Sequence, residues 1–197
     1  MLEVELKSVV DDLPRRRAAV EAAGAVLVFE GHLSDRRYDT AEYALAARDH
    51  VLRVRTYGEG DAVRVEMDWK GPTHREGGYK VREEHEVHVG EPDALAAILD
   101  RLGYIVTIEI DREIAQYELD GVMIRFEHYP RMDDLVEVEG TPDGIERAIG
   151  ALGLPRDGFT AERLPEFVRR FESRTSTRAA LSDGEMRGDV HYDATNA

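Results

Sequence analysis

The chain opens on Met1-Leu2-Glu3-Val4-Glu5-Leu6-Lys7, where apolar and charged residues alternate strictly. This alternation predicts a β-strand with one charged face and one apolar face. Glu3, Glu5 and Lys7 share the charged face. Two carboxylates about 6–7 Å apart along a strand can share a hard divalent cation, and the lysine is placed to meet an anion that the cation carries. An ordinary solvent-exposed strand face is the simpler interpretation of this stretch by itself.

The same alternation recurs along the rest of the chain, over about eight predicted strands. Their charged faces carry arginine and acidic residues at successive positions, as in residues 51–55, 63–70 and 80–88. A flat antiparallel sheet with one wet face is one explanation. The predicted helices, however, need an apolar sheet surface to cover. The other explanation is a closed sheet with its apolar face outward and a polar, charged lumen, which suits a highly charged anion chelated by divalent metal. The pattern by itself leaves both explanations open.

Length and composition indicate one globular domain. The chain has 197 residues, of which 42% are hydrophobic, and this is enough for a sizeable core. It has no apolar run near the roughly 18–20 residues that span a bilayer and no signal segment, so we expect a cytoplasmic location. The absence of cysteine excludes disulfides and thiolate metal sites and leaves oxygen or histidine ligands for any metal.

The chain is strongly acidic, with a formal net charge of −15 from 41 acidic and 26 basic residues. This charge disfavours nucleic acid or an anionic membrane as a partner. Lys7, Lys70 and Lys80 are its only lysines. An acidic, arginine-rich composition suits a salt-rich, halophilic cytoplasm, although a GC-rich genome also favours arginine over lysine. An acidic protein that binds a polyanion must gather positive charge locally and recruit metal.

Helix signals occur at four places, marked by acidic caps, early prolines or terminal glycines. The predicted helices cover residues 11–24, 91–103, 141–153 and 164–172. An apolar run over residues 25–30 predicts a strand that leads into residues 33–40, and residues 41–49 are expected to form a loop. Residues 173–197 are polar, which predicts a disordered or loosely docked tail.

Six short motifs follow one another along the chain. They are Glu3-x-Glu5-x-Lys7, Tyr38-Asp39-Thr40, Leu52-Arg53-x-Arg55, Trp69-Lys70-Gly71, Lys80-x-Arg82-x-Glu84-x-Glu86 and Glu137-x-Glu139-Gly140. Their order resembles that of the CYTH superfamily, the triphosphate tunnel metalloenzymes. The superfamily includes CyaB-like class IV adenylate cyclases, thiamine triphosphatases and inorganic triphosphatases. The resemblance extends over about residues 1–153, and the order of the motifs carries it rather than any one of them.

The resemblance implies an α+β fold, namely an eight-stranded antiparallel β-barrel with a charged lumen, flanked by about four helices. It implies a single CYTH domain over residues 1–172, followed by the tail 173–197. The implied ligand is a nucleoside or inorganic triphosphate, bound inside the tunnel with Mg²⁺ or Mn²⁺. We expect no nucleic-acid or membrane partner, and either a monomer or a homodimer.

The resemblance also assigns roles to individual residues. The positions that match phosphate-binding residues are Lys7, Arg53, Arg55, Lys70, Arg82 and Arg112, with Arg125 as a further contact on the face of Glu127. The implied metal ligands are Glu3, Glu5, Glu127, Glu137 and Glu139, and the implied catalytic residues are Glu3, Glu5, Lys7 and Glu137. Arginine forks suit phosphate oxygens, and carboxylates suit Mg²⁺.

Two positions depart from the family pattern. Ile110 stands two residues before Arg112, where the family often has lysine, so one phosphate contact is missing or comes from another side chain. Glu127 stands where the family tends to carry aspartate, which keeps the carboxylate and lengthens its reach. Trp69 and Tyr38 are candidates for stacking a substrate ring, although packing is the commoner role for such residues.

Three functions remain open from the sequence. An adenylate cyclase would convert ATP to cyclic AMP and pyrophosphate, and a triphosphatase would hydrolyse tripolyphosphate or thiamine triphosphate. Both reactions depend on stabilising the charge that develops on the phosphate. The third function is non-catalytic binding of a triphosphate or polyphosphate. The motif layout favours the cyclase.

Overall fold

A computed structural model of the protein describes residues 2–191, which form one antiparallel sheet of nine strands with five α-helices. The strands are β1 (Leu2–Val9), β2 (Val26–Asp39), β3 (Val51–Glu59), β4 (Ala62–Lys70), β5 (His74–Glu76), β6 (Tyr79–His88), β7 (Ile105–Leu119), β8 (Val122–His128) and β9 (Leu135–Glu139). The helices are α1 (Leu13–Ala22), α2 (Pro92–Arg101), α3 (Pro142–Leu152), α4 (Leu164–Thr175) and α5 (Asp183–Arg187). None of the helices within residues 2–191 is long and apolar enough to cross a membrane.

Eight of the strands close into a barrel. Their order is β1-β9-β8-β7-β2-β3-β4-β6, and β6 pairs with β1 to complete the ring. The ninth strand, β5, is short. At Val81, β6 pairs with Val4 of β1 and with His74 of β5, so β5 continues the position of β4 after the break at Gly71-Pro72. The predicted eight-stranded antiparallel barrel and α+β class are therefore confirmed.

The second strand is longer than the sequence suggested. Residues 26–39 form one continuous strand, β2, which pairs with β7 along nearly all of its length. Asp35 lies opposite Arg55 of β3 on one side and Ile110 of β7 on the other. The continuity of β2 thus brings a second acidic and basic segment, residues 35–37, into the barrel wall.

Apolar strand faces point outward, as predicted, and helices cover part of this surface, whereas Val63 and Val87 stay exposed. Leu6 packs in a buried cluster with Val20 of α1 and with Ile145, Ile149 and Leu152 of α3. Burying side chains of this size contributes roughly 1.5–3 kcal/mol each. Most of the hydrophobic core therefore lies between the barrel and its helices, and the inside of the barrel holds the charged faces together with a small apolar cluster that includes Leu33 and Tyr57.

A second cluster joins the C-terminal part of the chain to the barrel. Phe167 of α4 and Leu181 are buried with Ile108 and Leu135. The backbone carbonyl of Leu181 accepts a 2.8 Å hydrogen bond from the backbone N–H of Asp111. Residues 173–191, for which the sequence predicts a disordered or loosely docked tail, lie against the barrel with Ala179, Ala180 and Leu181 buried, because a few small and apolar side chains suffice to dock this otherwise polar segment. Residues 192–197 lie outside the described part of the chain.

Candidate active site

The register between strands places opposite charges side by side in the lumen. Lys7 of β1 lies opposite Glu137 of β9, and Glu5 lies between Glu139 of β9 and Lys80 of β6. Because side chains alternate along a strand, a shift of one residue would turn these groups outward. All twelve residues that the sequence predicted for the site line the lumen. They are Glu3, Glu5, Lys7, Arg53, Arg55, Lys70, Arg82, Arg112, Arg125, Glu127, Glu137 and Glu139.

The lumen contains two cavities of unlike charge, which share Arg55. The first, of about 180 Å³, is lined by nine Lys or Arg residues against six Asp or Glu residues. The second, of about 650 Å³, is lined by five Glu residues against three Arg residues. We call them the basic chamber and the acidic chamber. Basic residues of the first are Lys7, Arg37, Arg53, Arg55, Lys70, Lys80, Arg82, Arg112 and Arg163, and acidic residues of the second are Glu3, Glu66, Glu84, Glu86 and Glu139.

Asp35 is the central counter-charge of the basic chamber. Its carboxylate accepts hydrogen bonds from Arg112 at 3.1 Å, Arg55 at 3.2 Å and Arg53 at 3.4 Å, and the residue is only 1% exposed. Burial by itself would raise the pKa of this carboxyl, but the three arginines outweigh burial and hold the pKa well below its usual range. Asp35 is therefore ionised at neutral pH. Its carboxylate lies where the surrounding arginines attract negative charge.

Lys7 forms ion pairs with two of the predicted metal ligands, Glu127 and Glu137. Its ammonium lies 2.8 Å from Glu137 and 3.3 Å from Glu127, and Tyr129 donates its hydroxyl to Glu127 at 2.9 Å. Burial disfavours the charged lysine, yet Glu127 and Glu137 outweigh it and raise its pKa. Lys7 is thus a permanent cation here, which suits it to binding an anion rather than accepting a proton.

The two remaining lysines and Arg125 are also paired with carboxylates. Lys70 lies 2.5 Å from Glu3, and Lys80 lies 2.5 Å from Glu5. Arg125 donates a hydrogen bond to Glu137. Most of the predicted phosphate-binding cations therefore already hold an internal carboxylate, and a phosphate group would exchange with that partner on binding.

Arg37 and Arg82 differ from the other cations of the basic chamber, since neither takes part in an ion pair among residues 2–191. Arg82 donates to the backbone carbonyls of Gly71 at 2.7 Å and Asp49 at 2.8 Å. Arg37 Nε is buried and has no hydrogen-bond acceptor among the described residues. Burial, followed by the charge of Arg53, lowers the pKa of Arg37 to about 10. Carboxylates do lie near these two guanidiniums, Asp35 near Arg37 and Asp49 near Arg82, but within residues 2–191 neither arginine forms an ion pair with them.

The predicted metal ligands are divided between the chambers, with Glu3 and Glu139 in the acidic one and Glu5, Glu127 and Glu137 in the basic one. Within residues 2–191, no three acidic or histidine side chains already converge as a metal site. Two observations nevertheless fit a cation. Glu3 Oε2 is buried without a hydrogen-bond partner among the described residues. Burial and the neighbouring carboxylates Glu3 and Glu137 raise the pKa of Glu139 to about 7.

Sequence reasoning missed several residues that the register brings into the lumen. Asp35, Arg37 and Tyr129 line the basic chamber, and Asp68 accepts a 2.9 Å hydrogen bond from Arg53. The alternation of Leu33, Asp35 and Arg37 was the available signal. By contrast, the Trp69 ring packs against His50 and His85, at centroid distances of 5.1 and 5.9 Å, and is absent from both chamber linings.

The closed antiparallel barrel thus encloses opposed clusters of guanidinium, ammonium and carboxylate groups. The family model for the CYTH domain matches residues 1–142. The chain therefore belongs to the CYTH family, as the order of its motifs predicted.

Solved structures of similar fold come from several organisms. A "putative adenylate cyclase" from Vibrio parahaemolyticus is 19% identical with a TM-score of 0.72, covering 86% of this chain and 98% of that one. The PH1819 protein of Pyrococcus horikoshii is 23% identical with a TM-score of 0.68 over 85% and 98% of the two chains. A Hippeastrum adenylyl cyclase candidate, described as having a dominant triphosphatase activity, is 15% identical with a TM-score of 0.60 over 92% and 98%. A search of curated proteins finds no match.

Proposed function

We propose that the protein is an enzyme that processes a nucleoside or inorganic triphosphate with the help of Mg²⁺ or Mn²⁺. The observation that carries this proposal is the separation of charge within one lumen. The basic chamber has more cationic than acidic side chains, and the acidic chamber has the reverse. A triphosphate and its accompanying cation need these two environments next to each other.

The metal, when bound, would withdraw charge from phosphate oxygens and so make a phosphorus atom easier to attack. Glu3, Glu137 and Glu139 would hold it, with Glu5 and Glu127 as the further carboxylates of the predicted set. Their chemistry fits, because oxygen ligands suit hard divalent cations and Glu3 Oε2 has no other partner among the described residues. A cation would also favour the ionised form of Glu139.

The cationic side chains would bind the phosphates and stabilise negative charge as it develops. Arg53, Arg55 and Arg112 present planar forks that match phosphate oxygens, whereas Lys7 acts as a compact positive charge. All four already bind carboxylates. Because the barrel wall holds them in place, little reorganisation is needed when a phosphate replaces a carboxylate as their partner.

We propose class IV adenylate cyclase activity, the conversion of ATP to cyclic AMP and pyrophosphate, as the first reaction. The order of the motifs and the fold shared with the Vibrio parahaemolyticus protein support this choice. The ribose 3′ oxygen would attack the α-phosphorus and expel pyrophosphate, and its proton would leave to a base. In this reaction the lumen binds all three phosphates and the nucleoside lies at the opening.

Hydrolysis of inorganic tripolyphosphate or thiamine triphosphate is the second candidate. It is favoured by the lining of the basic chamber, which is dominated by charged groups and has only Ala46, Val51, Ile110 and Leu164 as aliphatic side chains to contact an organic moiety. The activity described for the Hippeastrum protein is of this type. A water molecule would then attack the terminal phosphorus, and the residues that bind the phosphates would be the same.

Phosphorus NMR of reaction products tests these proposals directly. The protein is incubated with Mg²⁺ or Mn²⁺ and, separately, with ATP, thiamine triphosphate and tripolyphosphate, with EDTA as the metal-free control. Pyrophosphate with cyclic AMP from ATP would support the cyclase. Orthophosphate without a cyclic product would support the triphosphatase and overturn the cyclase.

A matched pair of variants links any activity to the lumen. Glu137→Gln removes a buried carboxylate of the site, and Glu146→Gln removes an exposed one that pairs with Arg156 outside the barrel. We expect the first to abolish turnover and the second to leave it unchanged. A wild-type protein that binds tripolyphosphate but turns over none of the three compounds would overturn the enzyme proposal and leave a triphosphate-binding module.

A further inference from the structure

The basic chamber contains two buried donor nitrogens that make no hydrogen bond within residues 2–191, although one of them has the Glu84 carboxylate at 4.0 Å, beyond hydrogen-bond distance. Among residues 2–191, Arg37 Nε and Arg53 Nη2 are buried side-chain nitrogens without a hydrogen-bond acceptor. The two residues lie directly opposite each other in the pairing of β2 with β3. Buried polar groups are normally satisfied, so two unsatisfied guanidinium donors on facing positions indicate a place for an anion.

The surroundings of these atoms strengthen that indication. Arg82 lines the same chamber, and its only hydrogen-bond acceptors among the described residues are backbone carbonyls. Arg37 feels the positive charges of Arg53, Arg82 and Arg112, with Asp35 as the opposing carboxylate. Several positive charges are thus held close together around Asp35, an arrangement that a further anion stabilises.

The neighbouring strand explains why a cation from β2 is needed here. Ile110 of β7 also lines the basic chamber and lies opposite Asp35, while Arg37 is two residues further along β2 on the same face. Side chains in this diagonal relation are within reach of each other across two strands. At this point β7 offers an alkyl group to the chamber, and Arg37 is the cation that β2 adds beside it.

We propose that Arg37 is a phosphate-binding residue of this protein, which together with Arg53 and Arg82 holds one phosphoryl group and supplies the positive charge that β7 lacks at Ile110. The inference rests on the proposed binding of a triphosphate in the lumen. Arg37 and Arg82 have no carboxylate to release, because no ion pair within residues 2–191 involves them. A phosphoryl group therefore gains their hydrogen bonds without breaking an internal pair.

Calorimetric titration with tripolyphosphate tests the proposal through three variants. Arg37→Met removes the inward guanidinium. Arg36→Met removes the adjacent guanidinium, which pairs with Asp111 and Glu109 instead of lining either chamber. The double variant Arg37→Met/Ile110→Lys moves the positive charge from β2 to β7.

We expect Arg37→Met to weaken tripolyphosphate binding by about 10- to 100-fold, the usual effect of losing charged hydrogen bonds. Arg36→Met should stay within about twofold of wild type, since a partly exposed charge that is already paired with Glu109 and Asp111 contributes little to binding in the lumen. The double variant should bind tripolyphosphate more tightly than Arg37→Met does. The logarithm of its affinity should lie at least halfway back to the wild-type value. Because Arg37→Met relieves repulsion between arginines, its thermal midpoint should equal or exceed that of wild type, which a merely structural residue would not show.

Two results have different consequences. If wild type binds tripolyphosphate and Arg37→Met binds it equally well, the role of Arg37 is overturned while the proposed function stands. If wild type binds no tripolyphosphate with or without Mg²⁺, the proposed function itself is overturned, and the role of Arg37 with it.

Discussion

The basic and acidic chambers are formed by the same strands, yet they treat buried carboxylates in opposite ways. In the basic chamber, Asp35 is surrounded by arginines, which outweigh burial and keep its pKa low. In the acidic chamber, burial and two neighbouring carboxylates raise the pKa of Glu139 to about 7. Along β9, Glu137 belongs to the first environment and Glu139 to the second. A step of two residues, about 6–7 Å, is enough to change the electrostatic environment from one that stabilises anions to one that requires cations.

The strongest test of this contrast removes the central carboxylate of the basic chamber. Asp35→Asn should lower the free energy of unfolding by about 3–5 kcal/mol, because three buried arginines lose their shared counter-charge. The measurement is urea unfolding followed by circular dichroism. The control is Asp133→Asn, whose carboxylate pairs with exposed Arg174 at 2.5 Å. It should change stability by less than about 1 kcal/mol. Equal effects of the two variants would contradict the central role of Asp35.

The acid side of the stability profile tests the same carboxylate. The pKa of Asp35 is lowered from its ordinary value of 3.8, so its stabilising contribution is present above that value and is lost as pH falls below it. Thermal midpoints measured from pH 7 down to pH 3 should fall for wild type. Since other carboxylates also titrate there, the informative quantity is the difference from Asp35→Asn, which should shrink below about pH 4. A difference that stays constant with pH would argue against an ionised Asp35.

A third variant examines the acidic chamber by itself. Glu3→Gln should raise the Mg²⁺ concentration needed for half-maximal binding of the metal–tripolyphosphate complex by about 10- to 100-fold. The reason is that the Glu3 carboxylate loses its charge and the free, buried Oε2 is among the atoms proposed to bind metal. Calorimetry with and without Mg²⁺ measures the effect, and Glu83→Gln on the exposed side of β6 serves as control. Metal-free binding that falls as much as metal-dependent binding would show that the chambers are not separate in function.

The smallest effect on stability is expected for a substitution at Arg163, at the edge of the basic chamber. Arg163 lies 3.0 Å from Asp49, and its side chain is 46% exposed. Solvent screens such a pair, so Arg163→Ala should cost less than about 1 kcal/mol in stability. Its effect on tripolyphosphate affinity should decrease as salt rises. A loss as large as that of Arg37→Met would mean that the phosphate lies nearer to the opening than we propose.

Strand alternation and the family resemblance together predicted most of the fold and the candidate site. In residues 1–7 and 63–70, the period of two assigns each charged side chain to one face, and the need to cover the apolar face indicates which face is inside. The same reasoning failed for Asp35 and Arg37. Residues 25–40 were divided at the change from apolar to charged composition, whereas hydrogen bonding to β7 and β3 makes them one strand.

The C-terminal segment shows a second limit of sequence reasoning. Composition over residues 173–191 is polar, and a propensity argument averages over the whole segment. Ala179, Ala180 and Leu181 are nonetheless buried, and Ala180 exchanges backbone hydrogen bonds with Arg131. A short docking sequence of three residues depends on a complementary surface elsewhere in the fold, which no local pattern reports.

The sequence by itself determined the family, the closed antiparallel barrel and the identity of the twelve predicted lumen residues, because alternation and motif order are local properties of the chain. Only the tertiary structure decided which charges neutralise each other, since ion pairs such as Asp35 with Arg112 join residues far apart in the chain. It also decided that, within residues 2–191, Arg37 and Arg82 take part in no ion pair. That outcome depends on strand register, in which a shift of one position would exchange the inside of the barrel for the outside.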